Sequence, residues 1–237
     1  MKTLDLIGPV VGNDSSWIYD FLEIDCISPN KVKSTLNDLG DDDLTINLSS
    51  GGGEVTAASE IYTALRQIDK EVTINITGMA ASAASVIAMG ANIVNISPTA
   101  QFMIHQASVS ETAGNKDKLT HVADMLDKTD QSIAQAYVER TGVSMDEIAK
   151  MMADETFLTA TEAVEYGFAD NIMFANQATA KATNSIETGL LSTDAINKVG
   201  TLIAKQSQNK NSQKNKTNNN GSRLAQRSAK ATILLED

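Results

Sequence analysis

Residues 73–90, TINITGMAASAASVIAMG, constrain this chain more than any other stretch. Val72, Ile74 and Ile76 alternate with Thr73, Asn75 and Thr77, which predicts a strand ending at Gly78. A charge-free block of Ala, Ser, Met, Val and Ile follows. Small residues permit a tight strand-to-helix turn with close backbone approach, and a serine there can project from the first helical turn. The N–H groups at such a helix start lack intrahelical partners and carry positive partial charge, which suits a developing oxyanion. Ser82 and Ser85 are both candidate nucleophiles. The same residues would equally make a helix of small side chains packed closely against its neighbours, so the rest of the chain must decide.

A similar unit precedes it. Leu44, Ile46 and Leu48 alternate with Thr45 and Asn47, run into Ser49-Ser50-Gly51-Gly52-Gly53, and lead to an amphipathic helix marked by Val55, Ala58, Ile61, Tyr62, Leu65 and Ile68. Thr-Ile-Asn occurs at 45–47 and again at 73–75, each time before glycine and a helix. Strands alternating with helices predict an α/β fold with a largely parallel sheet, its functional end where the turns lead into helices. The triple glycine lacks the GKS or GKT of a phosphate loop and reads instead as a turn presenting backbone N–H groups.

Around these units, residues 3–10 read as a short first strand ending at Gly8-Pro9. Trp17, Ile18, Phe21 and Leu22 have roughly helical spacing. Ser28-Pro29 predicts a helix start, with Ser as N-cap and Pro at the first helical position, and Gly40 closes that helix. Short strands are expected at 92–96 and 101–105, then a long helix over 116–140. Ser144 with Glu147, and Thr159 with Glu162, have the spacing of capping boxes opening two further helices.

Composition removes several function classes. The 237 residues include 19 basic and 30 acidic ones; eight and two of these lie from Asn197 onward, so residues 1–196 carry 11 basic and 28 acidic residues. An acidic body of this kind is a poor nucleic-acid binder. Cys26 is the single cysteine, which excludes an internal disulfide and a cysteine metal cluster, fits a reducing compartment, and reads as a buried small residue. Asp41-Asp42-Asp43 reads as a solvated turn rather than a metal site. With no apolar run long enough to span a bilayer and no signal-peptide pattern, the expectation is a soluble, cytoplasmic protein. Beyond about Asn176 the composition shifts, and the tract KQSQNKNSQKNKTNNNG at 205–221 cannot bury enough apolar surface to fold alone. The expected division is a domain over 1–176 and a polar, basic, largely disordered tail over 177–237.

Only two histidines are available to activate a serine. His105 ends the apolar run Phe102-Met103-Ile104 and would sit at the sheet edge facing the turns. His121 falls on the long helix and reads as a surface or interface residue.

With these residues in hand a resemblance is visible. GMAAS at 78–82, FMIHQ at 102–106 and FLTATEAVEYGFADNI at 157–172 resemble blocks of the Clp protease proteolytic subunit, and SGGGEV at 50–55 resembles that family's SPGG-x-V loop. The likeness runs in order from Thr3 to Phe174. It lies nearest the shorter ClpP-like proteins of phages and prophages (peptidase S14), some of which act in head maturation. The resemblance implies a ClpP/crotonase-like fold of repeated strand-strand-helix units with a protruding handle helix. It also implies a serine endopeptidase enclosed in a homo-oligomeric ring or stacked rings, joined through the helix over 116–140. Peptides or unfolded proteins would be its substrates, and an AAA+ unfoldase or phage capsid proteins its further partners, with no cofactor, metal, nucleic acid or membrane. By the same resemblance Ser82 is the nucleophile and His105 the general base. The family's third member falls at Glu155, with Asp154 beside it as the alternative. The oxyanion donors would be the N–H groups of Gly52 or Gly53 and of Ala83.

Three departures accompany the likeness. Gly51 stands where the family has proline, Ala83 stands where methionine is usual, and the chain begins almost at its first strand, which leaves dependence on an ATPase open. Two other readings compete: a crotonase-type acyl-CoA hydratase or isomerase, which uses a glycine-loop oxyanion hole without a serine–histidine pair, and a non-catalytic ring or capsid-assembly scaffold.

Overall fold

The first three strands of the chain lie next to one another and run inward from one edge of the sheet. The computed structural model of the chain describes residues 1–175, so the expected tail over 177–237 lies outside the described residues. Lys2–Ile7 (β1), Leu44–Ser50 (β2) and Val72–Ala81 (β3) lie side by side in parallel. Leu44, Ile46 and Leu48 of β2 and Val72, Ile74 and Ile76 of β3 are buried, while Thr45, Asn47, Thr73 and Asn75 sit half-buried on the other face. The two Thr-Ile-Asn units are direct neighbours: Thr45 opposes Thr73, Ile46 opposes Ile74, and Asn47 opposes Asn75.

Ile93–Ile96 (β4) and Gln101–Ile104 (β5) both pair in parallel with β3, β4 along its first half and β5 along its last residues. Thr156–Leu158 (β6) is antiparallel to β5, and Asn171–Ile172 (β7) closes the far edge beside β4. The fold is therefore α/β with a mixed, mostly parallel sheet. The helices Ser16–Phe21 (α1), Pro29–Asn37 (α2), Val55–Gln67 (α3) and Ala83–Ala88 (α4) come between the first four strands. Lys116–Thr141 (α5), Met145–Ala153 (α6) and Ala160–Glu165 (α7) follow β5. After α4 the order is strand, strand, long helix. No helix among the described residues is long and apolar enough to cross a membrane.

An unforeseen polar ladder crosses the half-buried face. The Asn47 amide donates to Asp5 (2.8 Å), Asn75 to Asn47 (3.3 Å), Asn95 to Asn75 (2.9 Å) and Asn171 to Asn95 (3.1 Å), one link per strand boundary. Asn47, Asn75 and Asn95 each use the N–H₂ on one neighbour and the carbonyl on the next, so the ladder specifies register on a face where apolar packing does not. Asn75→Ala removes two links. It is expected to lower stability by about 1–2 kcal/mol, read as a reduced midpoint in urea; an unchanged midpoint would show the ladder to be energetically idle.

The structure amends the sequence expectations in several places. The strand expected to end at Gly78 runs on to Ala81, because Met79, Ala80 and Ala81 pair with Gln101, Phe102 and Met103 of β5. Ser28 stands at the N-cap of α2 with Pro29 behind it, but its buried hydroxyl makes no hydrogen bond among the described residues. Ser144 accepts from the Glu147 N–H without a reciprocal bond. Thr159 and Glu162 form the complete capping box. The Thr159 N–H and hydroxyl both donate to the Glu162 carboxylate and hold its pKa below the usual glutamate value. Trp17 and Phe21 of α1 are 63% and 79% exposed, so this apolar helix is not covered by the described residues. All the buried residues of α5, Ile133, Ala134 and Tyr137, lie in its C-terminal half.

Candidate active site

The junction of β3 and α4 falls on Ser82, and its backbone is the key to the site. Ser82 has φ 56° and ψ −127°, a combination that costs a non-glycine residue on the order of 1–3 kcal/mol and persists only where neighbours enforce it. Those neighbours are identifiable. The Ser82 N–H donates to the Met103 carbonyl (3.0 Å), continuing the β3–β5 ladder one residue past the strand. Its carbonyl accepts from the Ser85 N–H (2.9 Å) and the Ser85 hydroxyl (2.5 Å). Pinned on both sides, the side chain stands out from a sharp strand-to-helix turn, the arrangement that exposes a serine hydroxyl for attack.

His105 follows β5 directly, and pairing of β5 with the end of β3 carries it to the same sheet end. Its Nε2 lies 2.7 Å from Ser82 Oγ, and both residues are partly accessible. Of the two serines in the stretch, Ser82 is thus the one that meets an imidazole; Ser85 is fully buried. His121 is exposed on α5, beside Asp124 and Lys128 in a groove between α5 and α3.

The glycine loop after β2 lies against the serine. A Cβ on Gly52 would fall 2.6 Å from Ser82 Cβ and 3.0 Å from the Ala83 nitrogen, so only glycine lets the loop come this close. The Gly52 N–H is turned inward to the Ser50 hydroxyl (3.1 Å). Among the described residues neither the Gly53 N–H nor the Ala83 N–H has a hydrogen-bond acceptor. Gly53 is held by the bridge of its segment to Val10, whose N–H donates to the Gly52 carbonyl and whose carbonyl accepts from the Glu54 N–H, both at 2.9 Å.

The two carboxylate candidates stand nearby in a different way. The antiparallel pairing of β5 and β6 ends with Ile104 opposite Thr156, so His105 and Glu155 each lie one residue outside the paired segment. Glu155 has φ 48° and links α6 to β6, while Asp154 caps the end of α6. Both are exposed, and among the described residues neither carboxylate hydrogen-bonds His105.

The comparison with known proteins meets this geometry from outside. The sequence profile of the Clp protease family matches residues 23–176. The chain belongs to the Clp protease family. It is also 35% identical over 131 residues to the ATP-dependent Clp protease proteolytic subunit 1 of Chlamydia muridarum (strain MoPn / Nigg), an alignment covering 54% of this chain and 68% of that protein.

Sequence reasoning about this Clp protease family member missed two side chains of α5, Asp130 and Tyr137, that hold segments next to the site, and the structural partner of Ser85. Asp130 of α5 accepts from the Ala107 N–H (2.6 Å) and the Gln106 side-chain amide (3.1 Å), two residues beyond and one residue beyond His105. Ser85 pairs with the buried Tyr137 hydroxyl of α5 at 2.8 Å. These contacts join positions 23 and 52 residues apart, and nothing local in the sequence announces them.

Proposed function

We propose that this protein is a serine endopeptidase acting through an acyl-enzyme, with Ser82 as nucleophile and His105 as general base. The 2.7 Å approach of His105 Nε2 to the hydroxyl of a strained turn residue carries this reading. The Ser82 hydroxyl donates to Nε2, attacks the scissile carbonyl and passes its proton to the imidazole. The imidazolium then protonates the leaving amine, and a water activated by the same ring hydrolyses the ester. Glu155, just before β6, is the carboxylate assigned to Nδ1–H, which requires its exposed side chain to turn toward His105 in the working enzyme; Asp154 is the alternative. The Gly53 and Ala83 N–H groups bind the oxyanion. Gly52 serves as the close-packed hinge beside them, and losing one such donor costs on the order of 10²–10³ in rate. No step calls for a cofactor.

The catalytic domain spans residues 1–176. Exposed apolar residues of α1 and the N-terminal half of α5 suit contacts between copies in a ring that encloses the sites. Substrates are unfolded or flexible peptides. The resemblance to phage and prophage proteins suggests capsid protein maturation in the cytoplasm, with an AAA+ unfoldase as an optional partner. A crotonase-type enzyme or a passive scaffold has no use for the Ser82–His105 pair, which favours the peptidase. The test is hydrolysis of fluorogenic peptides across size-separated fractions. Activity should follow the assembled oligomer and vanish in Ser82→Ala. Activity surviving that substitution, or acyl-CoA turnover in its place, would refute the proposal.

A further inference from the structure

We propose that α5 is a clamp on the Ser82–His105 pair, with Asp130 and the Ser85–Tyr137 pair as positioning residues that fix its two halves separately. Asp130, Ile133, Ala134 and Tyr137 follow the i, i+3, i+4, i+7 spacing of one helix face. The middle two are packed into the core, 6% and 2% exposed, and anchor that face. The outer two, about two turns apart, each contact the segment that follows a different half of the dyad.

At one end Asp130 fixes the histidine. Its carboxylate takes the Ala107 N–H and the Gln106 amide, securing the chain as it leaves β5 just after His105. A charged acceptor on a backbone N–H makes one of the stronger hydrogen bonds in a protein. At the other end Tyr137 fixes the serine through Ser85. The Ser82 carbonyl can only accept, so the single Ser85 hydroxyl proton is committed to it, and the Tyr137 hydroxyl must donate to Ser85 Oγ. A serine bonding back to a carbonyl three residues earlier is commonplace at a helix start. Here, however, a second helix orients it, from a tyrosine only 1% exposed and set edge-on to Phe168. Burial pushes the Tyr137 phenol well above its ordinary pKa, so it remains a donor throughout the working pH range. The carbonyl held in this way belongs to the residue with the unusual φ, and rotating that peptide would turn the Ala83 N–H, the proposed oxyanion donor beside Ser82, out of place.

The inference rests on the serine peptidase reading, and the experiment separates the two. The readout is the rate of fluorophosphonate labelling at Ser82, measured beside thermal stability. In wild type the adduct must form at Ser82; no adduct there overturns both readings. Ser85→Ala leaves the Tyr137 hydroxyl buried without a partner, so labelling and stability should both fall. The double variant Ser85→Ala/Tyr137→Phe removes both polar groups and should recover most of the stability, while labelling stays about 10-fold or more below wild type. Asp130→Ala should slow labelling similarly, and Asp130→Asn, which keeps an acceptor for the Ala107 N–H, should restore most of it. Wild type labelling at Ser82, with a double variant that regains its labelling rate along with its stability, would overturn the clamp alone. An Asp130→Asn as slow as Asp130→Ala would likewise overturn the Asp130 half.

Discussion

His105→Ala is expected to lower peptide hydrolysis by roughly 10⁴-fold or more while leaving the fold intact. The imidazole is partly accessible and lies just past the end of β5, so its loss opens little core. What disappears is the acceptor 2.7 Å from Ser82 Oγ, without which the hydroxyl keeps its proton and stays a poor nucleophile. Binding and the oxyanion donors remain, so a residue of catalysis should survive. Initial rates on a fluorogenic peptide, with circular dichroism as a control for folding, make the comparison. A loss below about 10-fold would be too small for a general base. The same assay ranks the carboxylates: Glu155 adjoins Thr156, the last residue paired with β5, and assigning it to His105 predicts a much larger loss for Glu155→Ala than for Asp154→Ala.

The second large effect concerns the loop that faces the serine. Gly53 has φ 150°, and a Cβ there would lie 2.0 Å from the Val10 carbonyl oxygen, on backbone that cannot swing aside. Gly53→Ala must break the bridge to Val10 or shift the loop away from Ser82. A stability loss of about 3 kcal/mol or more is expected, with activity lost beyond the fraction that unfolds. Gly51→Ala is the internal control, since a Cβ at Gly51 meets nothing within 4 Å and its φ is not in the left-handed region. Thermal unfolding of both variants decides. Equal behaviour would mean that the Val10 contact does not constrain the loop.

Much of this was legible in the sequence, for physical reasons that differ between elements. The alternation in β2 and β3, the amphipathic face of α3 and the length of α5 are local signals of burial, and the structure follows them. Residues 78–81 were not legible as strand. Gly-Met-Ala-Ala has little β preference of its own and is extended because β5 supplies a partner, which is tertiary information. Ser28 satisfies the pattern of an N-cap, yet its buried hydroxyl has no partner among the described residues. At the site, the scarcity of histidine pointed to His105, and a serine on a turn before a helix pointed to the residues around 82. The close pairing of Ser82 with His105 is a matter of β5 lying beside the end of β3, and the Asp130 and Tyr137 contacts depend on where α5 returns to the sheet.

The most direct measurement of the central claim is mass-spectrometric mapping of a fluorophosphonate adduct on the assembled protein. A single adduct on the peptide containing residues 78–90, assigned to Ser82 and absent from both Ser82→Ala and His105→Ala, is the expected result. An adduct on Ser85 instead, or an assembled protein that takes no label at all, would contradict it.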